Sequence, residues 1–338
     1  MDGGNAMTVQ PPIVDIEGLV EGNGDALARV ADALREPCAR FGVFHVKGHG
    51  IPAKEIDEFD QAMRDFFALP RAEKTALERT RENAWGYYDQ ELTKNRPDWK
   101  EVFDYGREAL PGQEPAEHSD GRNQWPSGMP ELKPILMRHH AGCDRVSQAL
   151  LRALSVSLGF EADRLEAYFR ENSGFVRLNR YPTCDEPAPP DADHFPEHGK
   201  LGVHHHTDAG ALTLLYQDEV AGLQAWLEDR FVIVEPVKGA LTVNLGDMLQ
   251  VWSNDRYRSP LHRVLANAER DRYSAPFFLN PSYETVCEPL VDPDVDGPPP
   301  RFRSVSWAHF RDQRSAGDFA DYGAEIQIED YRISSTER

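Results

Sequence analysis

The sequence predicts a mainly β protein with flanking helices, the strands lying towards its C-terminal end. Two observations carry this. Up to about residue 170, apolar residues recur at steps of three and four, the helical period. From residue 174 the period changes to two, and short runs rich in β-formers follow one another, divided by Gly, Asp, Asn and Pro. Such a density of short strands favours a sandwich or barrel over a parallel α/β sheet.

Taken in order, "PIVDI" at 12–16 reads as a short strand. From Asp25, Leu27, Val30, Leu34, Cys38 and Phe41 form one helical face. Pro37 should kink that helix or fix its last turn, and Gly42 should end it. "VFHVKGHGIP" reads as a strand and a turn, with Pro52 as the first residue of a helix whose face is Ile56, Phe59, Met63, Phe66 and Phe67. Residues 83–128 read as irregular, a long helix covers 131–159, and a shorter one covers 162–170. "FVRLNRYP", "ALTLLYQD", "GLQAWL", "FVIVEPV", "GALTVNLGD", "LHRVLAN" and "RYSAPFFL" are the strands. The Pro-rich 183–200 segment is a loop, and the tail carries a helix at 306–314. The organisation is an N-terminal helical and mixed region (8–130), long backing helices (131–172), a β core (173–283) and a tail (284–338).

Composition narrows function. The 338 residues carry a formal net charge of −20, which repels a phosphate backbone, and no basic patch offsets it. The Arg-containing stretches at 35–40 and 64–81 are interleaved with acids and read as solvated helix faces. Cys38, Cys143, Cys184 and Cys287 lie far apart, so no Cys-x-x-Cys metal or redox motif exists. The N-terminus is polar and no apolar run approaches the ~20 residues that span a bilayer. We therefore expect a cytoplasmic protein with a small-molecule substrate, no nucleic-acid or membrane partner, and a monomeric or weakly dimeric state.

The chemistry concentrates in "VHHHTDAG" at 203–210. His206 and Asp208 are two apart, so on a strand they share a face. His262, on a later strand, is the candidate third ligand, giving His-x-Asp-x53-His. Two histidines and one carboxylate on one face of an ion leave positions open, the ligand set of non-haem Fe(II) oxygenases. Such a set also suits Zn2+ in a hydrolase. Ten residues on, Arg272 and Ser274 form a second i, i+2 pair, able to grip a carboxylate. A hydrolase would leave these two without a role. Asn179 and Tyr181 form a third such pair. His205 should face away from His206; His204 shares its face about 6.6 Å along the strand and stays outside the metal set. His45, His49, His118, His139, His140 and His309 lack partners at ligand spacing and read as surface or packing residues. The aromatics Trp85, Tyr87, Tyr88, Trp99, Phe103 and Tyr105 read as core, and Phe278 as either core or pocket wall.

"RLNRYP", "HTDAGALTLLYQDEVAGLQ", "GALTVNLGDMLQVWSNDRYRSPLHRV" and "RYSAPFFLNP" together resemble the iron(II)/2-oxoglutarate-dependent dioxygenases, in the branch of plant hormone and flavonoid oxygenases and isopenicillin N synthase. "FGVFHVKGHGIP" and "DWKEVFDYG" resemble that branch's N-terminal region, so the likeness spans most of residues 12–282. It implies a double-stranded β-helix, the jelly roll of cupin-like proteins, with the helical region packed on it. It implies Fe(II) on His206, Asp208 and His262, and the distal carboxylate of 2-oxoglutarate on Arg272 and Ser274. Tyr181 would add a hydrogen bond to that cosubstrate, with Asn179 near the site. The implied reaction uses O2 and converts 2-oxoglutarate to succinate and CO2 while a substrate is hydroxylated, desaturated or cyclised. The alternative within the resemblance is a 2-oxoglutarate-independent Fe(II) oxidase, of the isopenicillin N synthase or aminocyclopropane carboxylate oxidase type. The substrate pocket is expected from the 83–107 region, the 183–200 loop and the tail.

Overall fold

Asn23 starts the first long helix by accepting the backbone N–H groups of Asp25 and Ala26 on its side-chain oxygen. The structure, a computed structural model, describes residues 9–80, 83–108, 121–171, 173–291, 298–317 and 323–334. The N-terminal elements are β1 (Ile13–Asp15), α1 (Gly24–Arg40), β2 (Val43–Lys47), α2 (Ala53–Phe67), α3 (Arg71–Thr75), β3 (Gly86–Tyr88), β4 (Leu92–Thr93), β5 (Arg96–Pro97), β6 (Glu101–Gly106) and α4 (Leu132–Ser157). Then come β7 (Phe175–Tyr181), β8 (Leu201–His206), β9 (Leu212–Gln217), β10 (Leu223–Leu227), β11 (Arg230–Ile233), β12 (Leu241–Leu245), α5 (Asp247–Trp252), β13 (His262–Leu265) and β14 (Arg272–Leu279). The tail carries β15 (Val286–Cys287), β16 (Val305–Ser306) and α6 (Trp307–Gly317).

Two sheets form the jelly roll. The larger runs β1-β2-β12-β9-β14-β7-β6-β3, and the smaller runs β11-β10-β13-β8. Every pairing within them is antiparallel except β1 with β2. The N-terminal region therefore does more than pack on the core, because β1, β2, β3 and β6 extend the larger sheet on both sides. One apolar cluster joins α1, α2 and α4 to that sheet through Val30, Leu34, Phe59, Phe66, Leu150, Val243 and Phe277. A smaller cluster lies between the sheets: Tyr181, Val203, Leu215, Leu223, Ala225 and Val264. The helices hold the larger sheet rigid from outside, and the space between the sheets is left for the site.

Three expectations, for residues 83–128, the 162–170 helix and Pro52, need correction. Residues 83–128 are not irregular throughout, since β6 is buried at every position and pairs with both β3 and β7. The 162–170 helix is only a 3-10 turn, Glu166–Phe169, drawn onto Trp252 by Tyr168 and Phe169 at 5.0 and 5.6 Å between ring centroids. Pro52 is the cap preceding α2 rather than its first residue. Pro37, by contrast, lies in the last turn of α1, one of the two places expected for it.

Helix α1 does end at Gly42. The carbonyl of Pro37 accepts the N–H groups of both Phe41 and Gly42, and Gly42 takes φ +68°. A Cβ there would lie 2.2 Å from the carbonyl oxygen of Arg258. Gly42→Ala should lower the unfolding free energy in urea by about 1–3 kcal/mol for the backbone conformation alone. His139 is buried in α4, stacked on Phe59 at 3.6 Å between ring centroids. Burial, then His140 and His49, lower its pKa from 6.5 to about 3. Between those values the unfolded chain carries a proton that the native chain does not, so stability falls as pH falls through that window. Denaturant midpoints measured against pH should give a flatter profile for His139→Leu.

Candidate metal and carboxylate site

Strand β8 delivers His206 at its end, and β13 delivers His262 at its start, directly opposite. Asp208 follows two residues after β8, and its carboxylate is nearly closed off from solvent. The three side chains offer ligand atoms that all lie within 4.8 Å of one another. His206 Nε2 and His262 Nε2 each stand 3.6 Å from Asp208 Oδ1. The other ring nitrogens are committed. His206 Nδ1 lies 2.8 Å from the carbonyl of His204, and His262 Nδ1 lies 3.1 Å from that of Pro260. A carbonyl only accepts, so both Nδ1 atoms carry the proton and both Nε2 lone pairs face inward. Burial, then the neighbouring His262, hold the pKa of His206 well below the usual value, which keeps its ring neutral.

The carboxylate is oriented too. Asp208 Oδ2 accepts from Thr213 on β9 and from Asn244 Nδ2 on β12, the latter at 2.8 Å. Oδ1 is left facing both histidines. Burial raises the Asp208 pKa, but His262, His206 and these two hydrogen bonds outweigh it and hold the group ionised below its usual range. Two neutral imidazoles and one monodentate carboxylate, converging on one point, fit a divalent cation with open coordination positions.

Arg272 and Ser274 open β14. Ser274 pairs with Asn179 on one side and Gln217 on the other, and Arg272 stands opposite Tyr181. All four sequence-predicted residues are buried. The Arg272 guanidinium lies 4.9 Å from the Tyr181 ring centroid. It donates to Val220 O at 3.1 Å, Ser274 Oγ at 3.5 Å and Gln217 Oε1 at 2.8 Å, all neutral acceptors. Among the described residues it makes no ion pair. Asp218 is near enough to feel its charge but does not pair with it directly, and a buried guanidinium whose hydrogen bonds all go to neutral groups fits an anionic ligand. Tyr181 belongs to the cluster between the sheets with Val203 and Val264, residues of the same strands as the two histidines. Asn179 Nδ2 reaches its own strand, Arg177 O, at 3.4 Å.

A cavity of about 120 Å3 opens on His206 and Asp208, lined by Glu91, Thr93, Lys100, Phe175, Arg177, Phe278, Asn280, Trp307, Arg311, Arg314 and Glu325, among others. The 83–107 region and the tail supply walls as expected; the 183–200 loop supplies none. Phe278 is a wall residue, while Trp85, Tyr87, Phe103 and Tyr105 are buried outside this cavity. Arg79, expected on a solvated helix face, is instead buried behind the wall. There Glu91 accepts from Arg79 and Arg177, both at 2.7 Å, and from Lys100 at 2.8 Å. Burial raises the Glu91 pKa, yet Arg177, Lys100 and Arg79 hold it far below the usual carboxylate range. Lys100 also reaches Asp98 at 3.3 Å, and Asp98 Oδ1 takes the backbone N–H of His204 at 3.1 Å and faces its Nδ1 at 3.2 Å. His204 therefore ties β8 to this ion network. Arg314 donates to the carbonyl of Thr207, between His206 and Asp208, at 2.8 Å. Nothing in the spacing of these charges distinguishes them from surface ones. His118 lies outside the described residues.

Residues 172–281 match the 2OG-Fe(II) oxygenase superfamily, and residues 11–128 match the N-terminal region described as that of a non-haem dioxygenase in morphine synthesis. Gibberellin 20 oxidase 1 of Oryza sativa subsp. japonica is 33% identical over 320 residues, covering 89% of this chain and 83% of that protein. The 2-oxoglutarate-Fe(II) type oxidoreductase hxnY of Emericella nidulans is 32% identical over 319 residues, 88% of this chain and 86% of that one. The crystal structure of JOX2 in complex with 2OG, Fe and JA superposes with a TM-score of 0.79 at 26% identity, covering 96% of this chain and 90% of that chain.

Gly222 leaves the room that Arg272 occupies. A Cβ there would fall 2.9 Å from Arg272 Cδ and 3.1 Å from its Nε. Gly222→Ala should displace the guanidinium while the fold is retained, and if Arg272 is the anion anchor it should weaken carboxylate binding, measured by ligand titration beside a thermal melt.

Proposed function

The chain belongs to the 2OG-Fe(II) oxygenase superfamily, and from that footing we propose that His206, Asp208 and His262 hold the iron, and that Arg272 and Ser274 hold the distal carboxylate of 2-oxoglutarate. The activity is that of an Fe(II)- and 2-oxoglutarate-dependent dioxygenase acting on a small molecule. The observation that carries the residue assignment is the convergence of two Nε2 atoms on one free carboxylate oxygen, with every other ring nitrogen and carboxylate oxygen of the trio already committed.

When bound, iron with 2-oxoglutarate and O2 supplies the oxidising power that breaks a substrate C–H bond, the cosubstrate leaving as succinate and CO2. This chain's residues bind and orient. The His204 and Pro260 carbonyls keep both imidazoles in the tautomer that presents Nε2. Thr213 and Asn244 keep Asp208 to one ligating oxygen. Arg272 offers a planar fork with Ser274 beside it, and the Tyr181 ring beneath adds bulk and a phenol. Asn179, opposite Ser274, is placed to steady that corner. The cosubstrate-independent alternative gives way, because the relative from Emericella nidulans is named for 2-oxoglutarate and the JOX2 complex contains it.

The cavity beside His206 and Asp208 is small and half ionic in its walls, with Phe175, Phe278 and Trp307 as its apolar side. We take the reacting part of the substrate to be compact and polar, its flat or apolar edge against those rings.

Succinate formation coupled to substrate consumption tests the reading. His206→Ala and Asp208→Ala should each abolish Fe(II)-dependent turnover. Arg272→Ala should raise the 2-oxoglutarate concentration for half-maximal turnover by at least about 30-fold, the equivalent of ~2 kcal/mol for a lost buried charge pair. An Arg272 variant with unchanged cosubstrate dependence contradicts the assignment.

A further inference from the structure

The two candidate ligand histidines sit on a ladder that does not by itself hold them still. His206 pairs with His262, but the register slips between that pair and Val203–Val264, and again before Leu201–Leu265. A bulged ladder bends and re-aims side chains, so their direction needs another support. Metal ligands must be held within roughly half an ångström of their working geometry.

The support comes from the other face of the same strands. Adjacent residues on a strand point to opposite sides, and the neighbours of both histidines reach one loop. His205 donates its Nδ1–H to the carbonyl of His194 at 2.9 Å. Arg263, fully buried next to His262, donates to the carbonyl of Asp193 at 2.8 Å and of Pro190 at 3.2 Å. Its Nε donates to Gln224 Oε1 at 2.7 Å, and Gln224 on β10 donates in turn to Pro190 O at 2.9 Å. The guanidinium lies 3.8 Å over the Phe231 ring, and His194 packs on Trp226 and Phe231 at 4.4 and 5.1 Å between centroids. Residues 190–195 thus form a clasp that touches β8, β10 and β13 together.

Arg263 is a costly way to pack a loop. All its direct hydrogen-bond acceptors are neutral, and burial lowers its pKa although the Asp193 charge opposes this, so the buried cation is unfavourable relative to an apolar side chain. What the arginine returns is direction, since three N–H groups fixed in one plane define the position of the strand that carries it.

We infer that Arg263, acting through the 190–195 clasp, is a positioning residue for the metal site: it holds His262 and His206 at the separation and tilt that retain iron. The inference rests on reading His206, Asp208 and His262 as the ligands. It concerns a side chain that touches neither metal nor substrate.

The test is the rate at which the full-length, Fe(II)-loaded chain gives up iron to excess ferrozine under anaerobic conditions, beside a circular-dichroism melt of each variant. Arg263→Lys keeps the charge and loses the fork. Gln224→Leu loosens Arg263 without altering β8 or β13. Iron release should quicken about 10- to 100-fold in Arg263→Lys, and in the same direction but less in Gln224→Leu. Val30→Ala, in the buried face of α1, controls for stability alone and should melt earlier while releasing iron at the wild-type rate. If Arg263→Lys does not fold, Gln224→Leu decides. The inference is overturned if the folded clasp variants release iron like wild type, or if Val30→Ala quickens release as much as they do. A wild-type chain that retains no iron overturns the ligand reading, and the inference with it; the two failures differ in which protein shows them.

Discussion

Everything in the site depends on one pairing: His206 at the end of β8 facing His262 at the start of β13. Two imidazoles can share an ion only if their strands are neighbours and in register, and neither condition is local in sequence. The larger sheet meets the remaining conditions. It supplies Thr213 and Asn244, which turn the carboxylate between the histidines, and Arg272 with Ser274 on β14. The jelly roll is thus used as a vice, one sheet bringing two candidate ligands together and the other orienting the third and the candidate anion anchor.

The electrostatics divide the interior into two zones. On the Glu91 side the charges are mutually satisfied: Arg79, Lys100 and Arg177 surround Glu91, and Asp98 closes the network onto β8 through His204. Removing a single member would leave an uncompensated buried charge, so this wall behaves as one rigid unit. On the Arg272 side the guanidinium hydrogen-bonds only neutral groups, with Asp218 near but not paired to it. The contrast is between charges paired directly in a wall and a buried charge with no direct ion pair among the described residues.

The parts of this arrangement that were legible in sequence are those set by short spacing. The two-residue steps His206–Asp208 and Arg272–Ser274 are visible because strands alternate faces. The helices α1, α2 and α4 are visible because each buries one stripe. What escaped detection lacked a period. Strand β6 is buried on both faces, so its residues do not alternate. Helix α5 has six residues, all buried, too short and too uniform to show a stripe. Arg79, Glu91 and Lys100 look like surface charges until folding encloses them together. The role of His204, beside Asp98, depends on a contact 106 residues away along the chain.

We propose that one site holds Fe(II) on His206, Asp208 and His262 and presents 2-oxoglutarate to it from Arg272. Anaerobic titration of the full-length chain with Fe(II) and then 2-oxoglutarate, followed by visible absorption, tests this most directly. A metal-to-ligand charge-transfer band should appear that needs both components, is lost in Asp208→Ala, and requires far more 2-oxoglutarate in Arg272→Ala. A band of wild-type strength and cosubstrate dependence in both variants would contradict it.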